Sequence, residues 1–185
     1  MLVIALALGV CTMLLFRRCG EATPVRLSVG LLTVVAVAAV HALLFLLGTV
    51  VGSLLSFSSP DNPQMYADIN AYIFLGMTII VDIKMLWPYL RREPRLPLFD
   101  LRSPVAVLAM AVATGVNVLL LGIGVGFVGG VGIHAILWPL FVAGTLLGYL
   151  GLMFGRRKVS LRPRRWMVLA CVLLLATAIA ACVNA

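Results

Sequence analysis

The sequence contains very little charge, and acidic residues are its scarcest charged type. Only 11% of its 185 residues are charged, whereas 63% are apolar, and the mean hydropathy is +1.17. Soluble domains contain about 25% charged and about 45–50% apolar residues. This composition excludes an ordinary soluble domain and predicts an all-α membrane protein, with the lipid bilayer as its main partner.

Motifs for catalysis or for a bound cofactor are also missing. The sequence has no phosphate loop, no Ser/His/Asp set and no Cys/His cluster with zinc-site spacing. The four cysteines predict no disulfide framework, because three lie within apolar runs and one directly follows such a run: Cys11, Cys171 and Cys182, and Cys19. We therefore expect a protein that is not an enzyme and that holds no cofactor.

Long apolar runs are what the sequence has instead. A helix needs roughly 18 or more apolar residues to cross a bilayer. Six charge-poor runs approach or exceed this length: about 1–16, 28–52, 68–90, 104–127, 132–154 and 166–183. They predict six transmembrane helices in one membrane domain, 1–185. The first run would reach only about 24 Å, so we expect snorkelling arginines or a thinner bilayer there, unless the chain starts earlier.

The basic residues predict the orientation in the membrane. All 14 lie near the connections that follow the first, third and fifth runs: Arg17, Arg18 and Arg26; Lys84, Arg91, Arg92, Arg95 and Arg102; Arg156, Arg157, Lys158, Arg162, Arg164 and Arg165. Because basic loops stay in the cytoplasm, both termini are predicted to lie outside. Contact with anionic lipid explains the net charge of +8, so no nucleic-acid partner is expected.

Paired glycines suggest that the chain has two related halves. "LLGTVVGSLL" contains Gly48 and Gly52, and "LLGYLGLMFG" contains Gly151 and Gly155 at the same spacing. Small residues four positions apart let helices approach closely in lipid. We predict two inverted three-helix repeats, about 1–90 and about 104–185, joined by a cytoplasmic connector at about 91–103.

Polar residues within the spans are the candidates for function. Thr114 and Asn117 share one face of the fourth span, and His41 lies within the second. Such groups are costly in lipid and usually face the protein interior or a wet cavity. Each of them has a structural alternative, an interhelical hydrogen bond. Asp82 has one too, because it can pair with Lys84 or a loop arginine. Close packing or a bend is expected at three further glycines, Gly122, Gly124 and Gly126.

The segment "ATGVNVLLLGIGVGF", residues 113–127, resembles a signature of the manganese efflux pump family, a branch of the LysE-like exporters. "LGVCTMLLF" at 8–16, "AVHALLFLLGTVVG" at 39–52, "FLGMTIIVDIK" at 74–84 and "LGLMFGR" at 150–156 resemble its other motifs. The resemblance implies six helices in the inner membrane of a bacterium and efflux of manganese as the transported substrate.

The sequence departs from this family at the acidic positions. Met13 and Asn117 stand where the family pattern has intramembrane aspartates, His41 replaces a glutamate, and Asp82 keeps an acid. Manganese(II) prefers carboxylate and carbonyl oxygen, so we expect it to bind this centre weakly. The candidate substrate-binding residues are Asn117, Thr114, His41, Met13, Cys11 and Asp82, although Met13 and Cys11 also fit a simple apolar lining.

Three functions fit this sequence. The protein is an exporter of manganese or of another small cation, an exporter of amino acids, or a membrane subunit that has lost transport. The last function requires a membrane-protein partner or a second copy of the chain. A polar cavity that reaches Asn117 and His41 distinguishes a transporter from a scaffold with a sealed apolar core.

Overall fold

The computed structural model describes residues 1–22, 26–58, 62–90, 101–129 and 132–184, without the side chains of residues 133 and 136. This part of the chain is helical and contains no strand. The six helices are α1 (Leu2–Ala22), α2 (Leu27–Leu55), α3 (Pro63–Leu90), α4 (Pro104–Val128), α5 (Ile133–Arg156) and α6 (Pro163–Val183). All six are long and apolar enough to cross a membrane, which confirms the predicted all-α membrane fold.

Helix α1 is longer than its apolar run predicts. It continues through Arg17 to Ala22, and its 21 residues reach about 32 Å. The Arg17 guanidinium donates to the carbonyl of Leu161 at 3.1 Å and forms an ion pair with Glu21 at 2.8 Å. The helix is thus longer than its apolar run, and the expected snorkelling of arginines or thinning of the bilayer stays a prediction.

The helices pack in a pattern that relates the first three to the last three. Helix α1 packs mainly on α5, and α2 packs mainly on α4. Helix α3 contacts α6 and α4, while α1 contacts α6 and α2 contacts α5. This set of contacts is unchanged when α1, α2 and α3 are exchanged for α4, α5 and α6. The pattern agrees with two similar halves, and their inverted orientation stays a prediction. Most of the predicted connector, residues 91–100, lies outside the described residues.

Glycines allow the two main helix pairs to touch through their backbones. A Cβ atom on Gly48 or Gly52 of α2 would collide with the α4 backbone, at Leu119 and Ile123 respectively. The seven glycines predicted to mediate packing all lie at contacts between helices: Gly48, Gly52, Gly122, Gly124, Gly126, Gly151 and Gly155. Without a hydrophobic driving force between helices in lipid, such close contact is a main source of association.

The α1–α5 pair repeats the register of the α4–α2 pair. A Cβ atom on Gly151 would meet the carbonyl of Met13, and one on Gly155 would meet that of Arg17. The corresponding α4 residues, Leu119 and Ile123, each stand 106 positions later in the chain than Met13 and Arg17. The same shift makes Cys11 the counterpart of Asn117. The motif comparison had instead matched Asn117 with Met13.

We predict that the substitution Gly151→Ala destabilises the bundle by about 1–3 kcal/mol, because overpacking a tight contact forces the backbones apart. Thermal unfolding of the purified protein in detergent measures this effect as a lower midpoint. Gly76→Ala is the matched control, since no atom lies within 4 Å of a Cβ at that position. Equal midpoints for the two variants would contradict the proposed role of the glycine contact.

Candidate functional site

A cavity of about 270 Å³ lies among five of the six helices. Helix α1 contributes to the wall of this cavity and is the most enclosed of the six helices. In its most apolar segment 67% of the residues are buried, compared with 28–39% in the corresponding segments of the other helices. The described residues that line the cavity are Leu8, Cys11, Thr12, Leu15, His41, Lys84, Met85, Pro88, Tyr89, Ala113, Thr114, Asn117, Val118 and Met167. Four of the six candidate residues from the sequence therefore share one cavity.

The cavity runs from mid-depth toward one end of the bundle. Asn117 lies 13 residues after Pro104, the start of α4, which is about 20 Å along a helix of about 37 Å. At the other extreme of the wall, Tyr89 lies one residue before the end of α3, and Met167 lies four residues after the start of α6. The cavity thus extends toward the end that carries the basic connections.

His41 and Thr114 form a hydrogen bond between α2 and α4. His41 Nε2 lies 2.9 Å from Thr114 Oγ1, and the threonine hydroxyl donates its proton to the carbonyl of Met110 at 2.7 Å. A hydroxyl has one proton to donate, so Thr114 accepts from His41. In the neutral imidazole, the proton is therefore on Nε2, and Nδ1 keeps a lone pair. His41 is 7% exposed.

Asn117 presents an unsatisfied oxygen. Its Oδ1 atom is buried and has no hydrogen-bond partner among the described residues. Buried polar atoms are rarely left without a partner. Because the side chain lines the cavity, a bound cation, water molecule or hydrogen-bond donor is able to satisfy this oxygen there.

Sulfur atoms form another part of the wall. Cys11 Sγ lies 4.0 Å from Met167 Sδ, and a second thioether, Met85, lines the same cavity. Sequence reasoning had not identified Met85, Met167 or Tyr89. On α3 the wall residues stand at positions 84, 85, 88 and 89, a spacing that places them on one face of a helix. This spacing is the signal in the sequence that could have identified them.

The cavity wall contains no Asp or Glu among the described residues, and it contains the cationic side chain of Lys84. Asp82 lies outside the wall. Its Oδ1 is buried without a hydrogen-bond partner, and its backbone carbonyl accepts from Cys171 Sγ at 3.9 Å. Within the described part of the chain, Asp82 forms no ion pair with Lys84. The wall therefore lacks the negative charge by which carboxylates bind a divalent cation.

Met13, the remaining candidate, does not line the cavity. Its backbone meets Gly151 where α1 packs on α5, and its side chain is 4% exposed within the apolar core. Cys11 lies on the cavity side of α1 instead. No group of three or more His, Cys, Asp or Glu side chains suited to a metal ion occurs in the described ranges.

At the opposite end of the bundle, the side-chain amide of Asn70 links α3 to the end of α2 through hydrogen bonds. Sequence reasoning had not identified this residue. Asn70 of α3 is 7% exposed, and its side chain bonds both backbone groups of Phe57: Nδ2 donates to the carbonyl at 2.9 Å, and Oδ1 accepts from the N–H at 3.1 Å. The Phe57 ring stacks on Phe127 of α4, with centroids 6.4 Å apart. These contacts tie the end of α2 to α3 and α4.

Six helices that are long and apolar enough to cross a membrane, packed around a cavity at mid-depth, define a multi-pass membrane protein. Residues 24–181 match the family model Mntp, described as "Putative manganese efflux pump". The chain therefore belongs to the manganese efflux pump family. Comparisons with curated proteins and with solved structures give no match for this chain.

We predict that Thr114→Val changes the protonation pattern of the His41 ring, because it removes the acceptor of the Nε2 proton. The chain has only two histidines, so ¹⁵N-histidine NMR is able to resolve both, with His134→Asn used for assignment. The native protein is expected to show the Nε2–H tautomer at His41, and the variant a larger Nδ1–H fraction.

Thr177→Val is the matched control. Thr177 Oγ1 donates to the carbonyl of Leu173 at 2.8 Å, which is the same local bond that Thr114 makes within α4, and Thr177 does not line the cavity. Its removal should leave the His41 signals unchanged. A native spectrum with the proton on Nδ1 of His41 would contradict the described hydrogen bond.

Proposed function

We propose that this protein is an exporter that carries a small cation through the described cavity. The observation that supports this most is the cavity itself, since it brings His41 and Asn117 to one wall at mid-depth. A scaffold subunit requires only a packed bundle. Substrate sites of secondary transporters lie near the bilayer midplane, where helices from both halves meet.

The position of the cavity supports loading from the cytoplasm. By the positive-inside rule the basic connections are cytoplasmic, and the cavity extends toward them. Arg18 lies 6.0 Å from the centre of the Tyr89 ring at that end, while the Asn70 contacts hold the opposite end together. An exporter in a bacterial inner membrane takes up its substrate from the cytoplasm, which is the side toward which this cavity extends. In this orientation both termini lie outside.

The cavity wall favours weak binding of manganese. Two unit charges 4 Å apart interact by about 4 kcal/mol at an effective dielectric constant near 20. A divalent ion beside Asn117 and Cys11 has no carboxylate ligand on the wall, and Lys84 repels it. The Asp82 carboxylate lies behind the wall, within electrostatic reach of Cys11. The neutral donors that remain are the Asn117 oxygen, the His41 ring, the Thr114 hydroxyl and the Cys11 sulfur. We therefore infer that manganese is a poor substrate of the native protein.

We predict that the double substitution Cys11→Asp/Asn117→Asp raises manganese transport at least tenfold over the native protein. The change adds two carboxylates to the cavity wall, and carboxylate oxygen is the ligand that manganese(II) prefers. The measurement is manganese accumulation in everted membrane vesicles, where export appears as uptake, with vesicles from cells that lack the protein as the blank.

The matched control is Met13→Asp/Asn117→Asp, because Met13 does not line the cavity. It adds the same charge and should give a smaller gain, provided that both proteins reach the membrane in equal amounts. If neither variant accumulates manganese above the blank, this cavity is not the path of a cation and the scaffold function is favoured. Pull-down of partners then becomes the next experiment.

A further inference from the structure

The sulfur atoms of the cavity come from three helices, and two of these helices bring their sulfur atoms into contact at one wall. Cys11 lies on α1, and Met167, which is 5% exposed, lies on α6. Their sulfur atoms are 4.0 Å apart. Met85 of α3 adds a second thioether to the wall, and His41 adds an imidazole.

The distance between the two sulfur atoms suits one shared metal ion. Two bonds of about 2.3 Å, the length of a zinc–sulfur bond, separate the two sulfur atoms by about 4 Å when they meet at 120°. The spacing of Cys11 Sγ and Met167 Sδ therefore matches that of two ligands of one ion in trigonal coordination. Met85 and His41 line the same cavity and are the candidates for a third ligand.

The chemistry of these donors selects a soft ion. Thiolate and thioether sulfur favour copper(I), whereas manganese(II) favours carboxylate and carbonyl oxygen. A Cys11 thiolate would be the only anionic donor on the described wall, so it neutralises one positive charge. A monovalent cation forms a neutral pair with it, whereas a divalent cation keeps one charge that no further anionic ligand on the wall neutralises.

We infer that the preferred substrate is a soft monovalent cation of the copper(I) and silver(I) type, bound between Cys11 and Met167. This inference rests on the proposed function of the cavity as the path of an exporter. Binding replaces the thiol proton of Cys11 with the ion, so the cavity releases one proton for each ion that it takes up.

Silver(I) is the probe, supplied as the nitrate in chloride-free buffer to purified protein in lipid nanodiscs. Calorimetry measures the ions bound, and a pH indicator in weak buffer measures the protons released. Cys11→Ser is expected to lose one bound ion and one released proton per chain. Met167→Leu keeps the volume of the side chain and is expected to weaken that site at least tenfold.

The chain contains a matched control pair outside the cavity. Cys19 Sγ lies 3.9 Å from Met110 Sδ, and both residues are buried without lining the cavity. Cys19→Ser should therefore titrate like the native protein. A loss of the silver site in Cys19→Ser, or a native-like titration of Cys11→Ser, would overturn the assignment to the cavity.

A transport measurement distinguishes the failure of this inference from the failure of the proposed function. In everted vesicles, the native protein is expected to accumulate radioactive silver(I) at least tenfold faster than manganese(II), and Cys11→Ser is expected to lose most of the silver uptake. Uptake of manganese with no silver uptake would overturn the soft-cation inference and leave the exporter function standing. Uptake of neither ion would overturn both.

Discussion

Close backbone contact between helices is the constraint on which the rest of this structure depends. Lipid tails are as apolar as leucine side chains, so apolar surface alone does not hold membrane helices together. Gly52 against Ile123, and Gly155 against Arg17, bring helix backbones into direct contact. The two contacts share one register, and that register brings Cys11 and Asn117 to equivalent positions on α1 and α4.

The cavity follows from the same packing. Helices α1 and α4 are each fixed on one side by a glycine-bearing neighbour, and on another side α1 meets α6 and α4 meets α3 less closely. The wall between them combines polar groups at mid-depth, such as Asn117 and the His41–Thr114 bond, with the sulfur atoms of Cys11 and Met167. The same scaffold that suits a cation exporter thus carries donors that differ from the acidic pattern of its family.

Sequence reasoning predicted the six-helix fold well because hydrophobic length is a property of single segments. The six helices and the interhelical positions of glycines such as Gly52 needed no knowledge of tertiary structure. Register between distant helices was not predictable in this way. The motif comparison selected Met13, whereas packing turns Cys11 to the cavity. Met167 was missed for the same reason, since an apolar helix gives no sign of which face it turns inward.

Labelling of Cys11 from each side of the membrane tests the central claim most directly, namely that the cavity opens from the basic end to mid-depth. A charged, membrane-impermeant thiol reagent is applied to everted and to right-side-out vesicles, and mass spectrometry identifies the modified cysteines. With the basic end in the cytoplasm, as the positive-inside rule predicts, Cys11 is expected to be modified in everted vesicles only, and Cys19 in neither. Modification of Cys11 from the outer face alone, or from neither face, would contradict it.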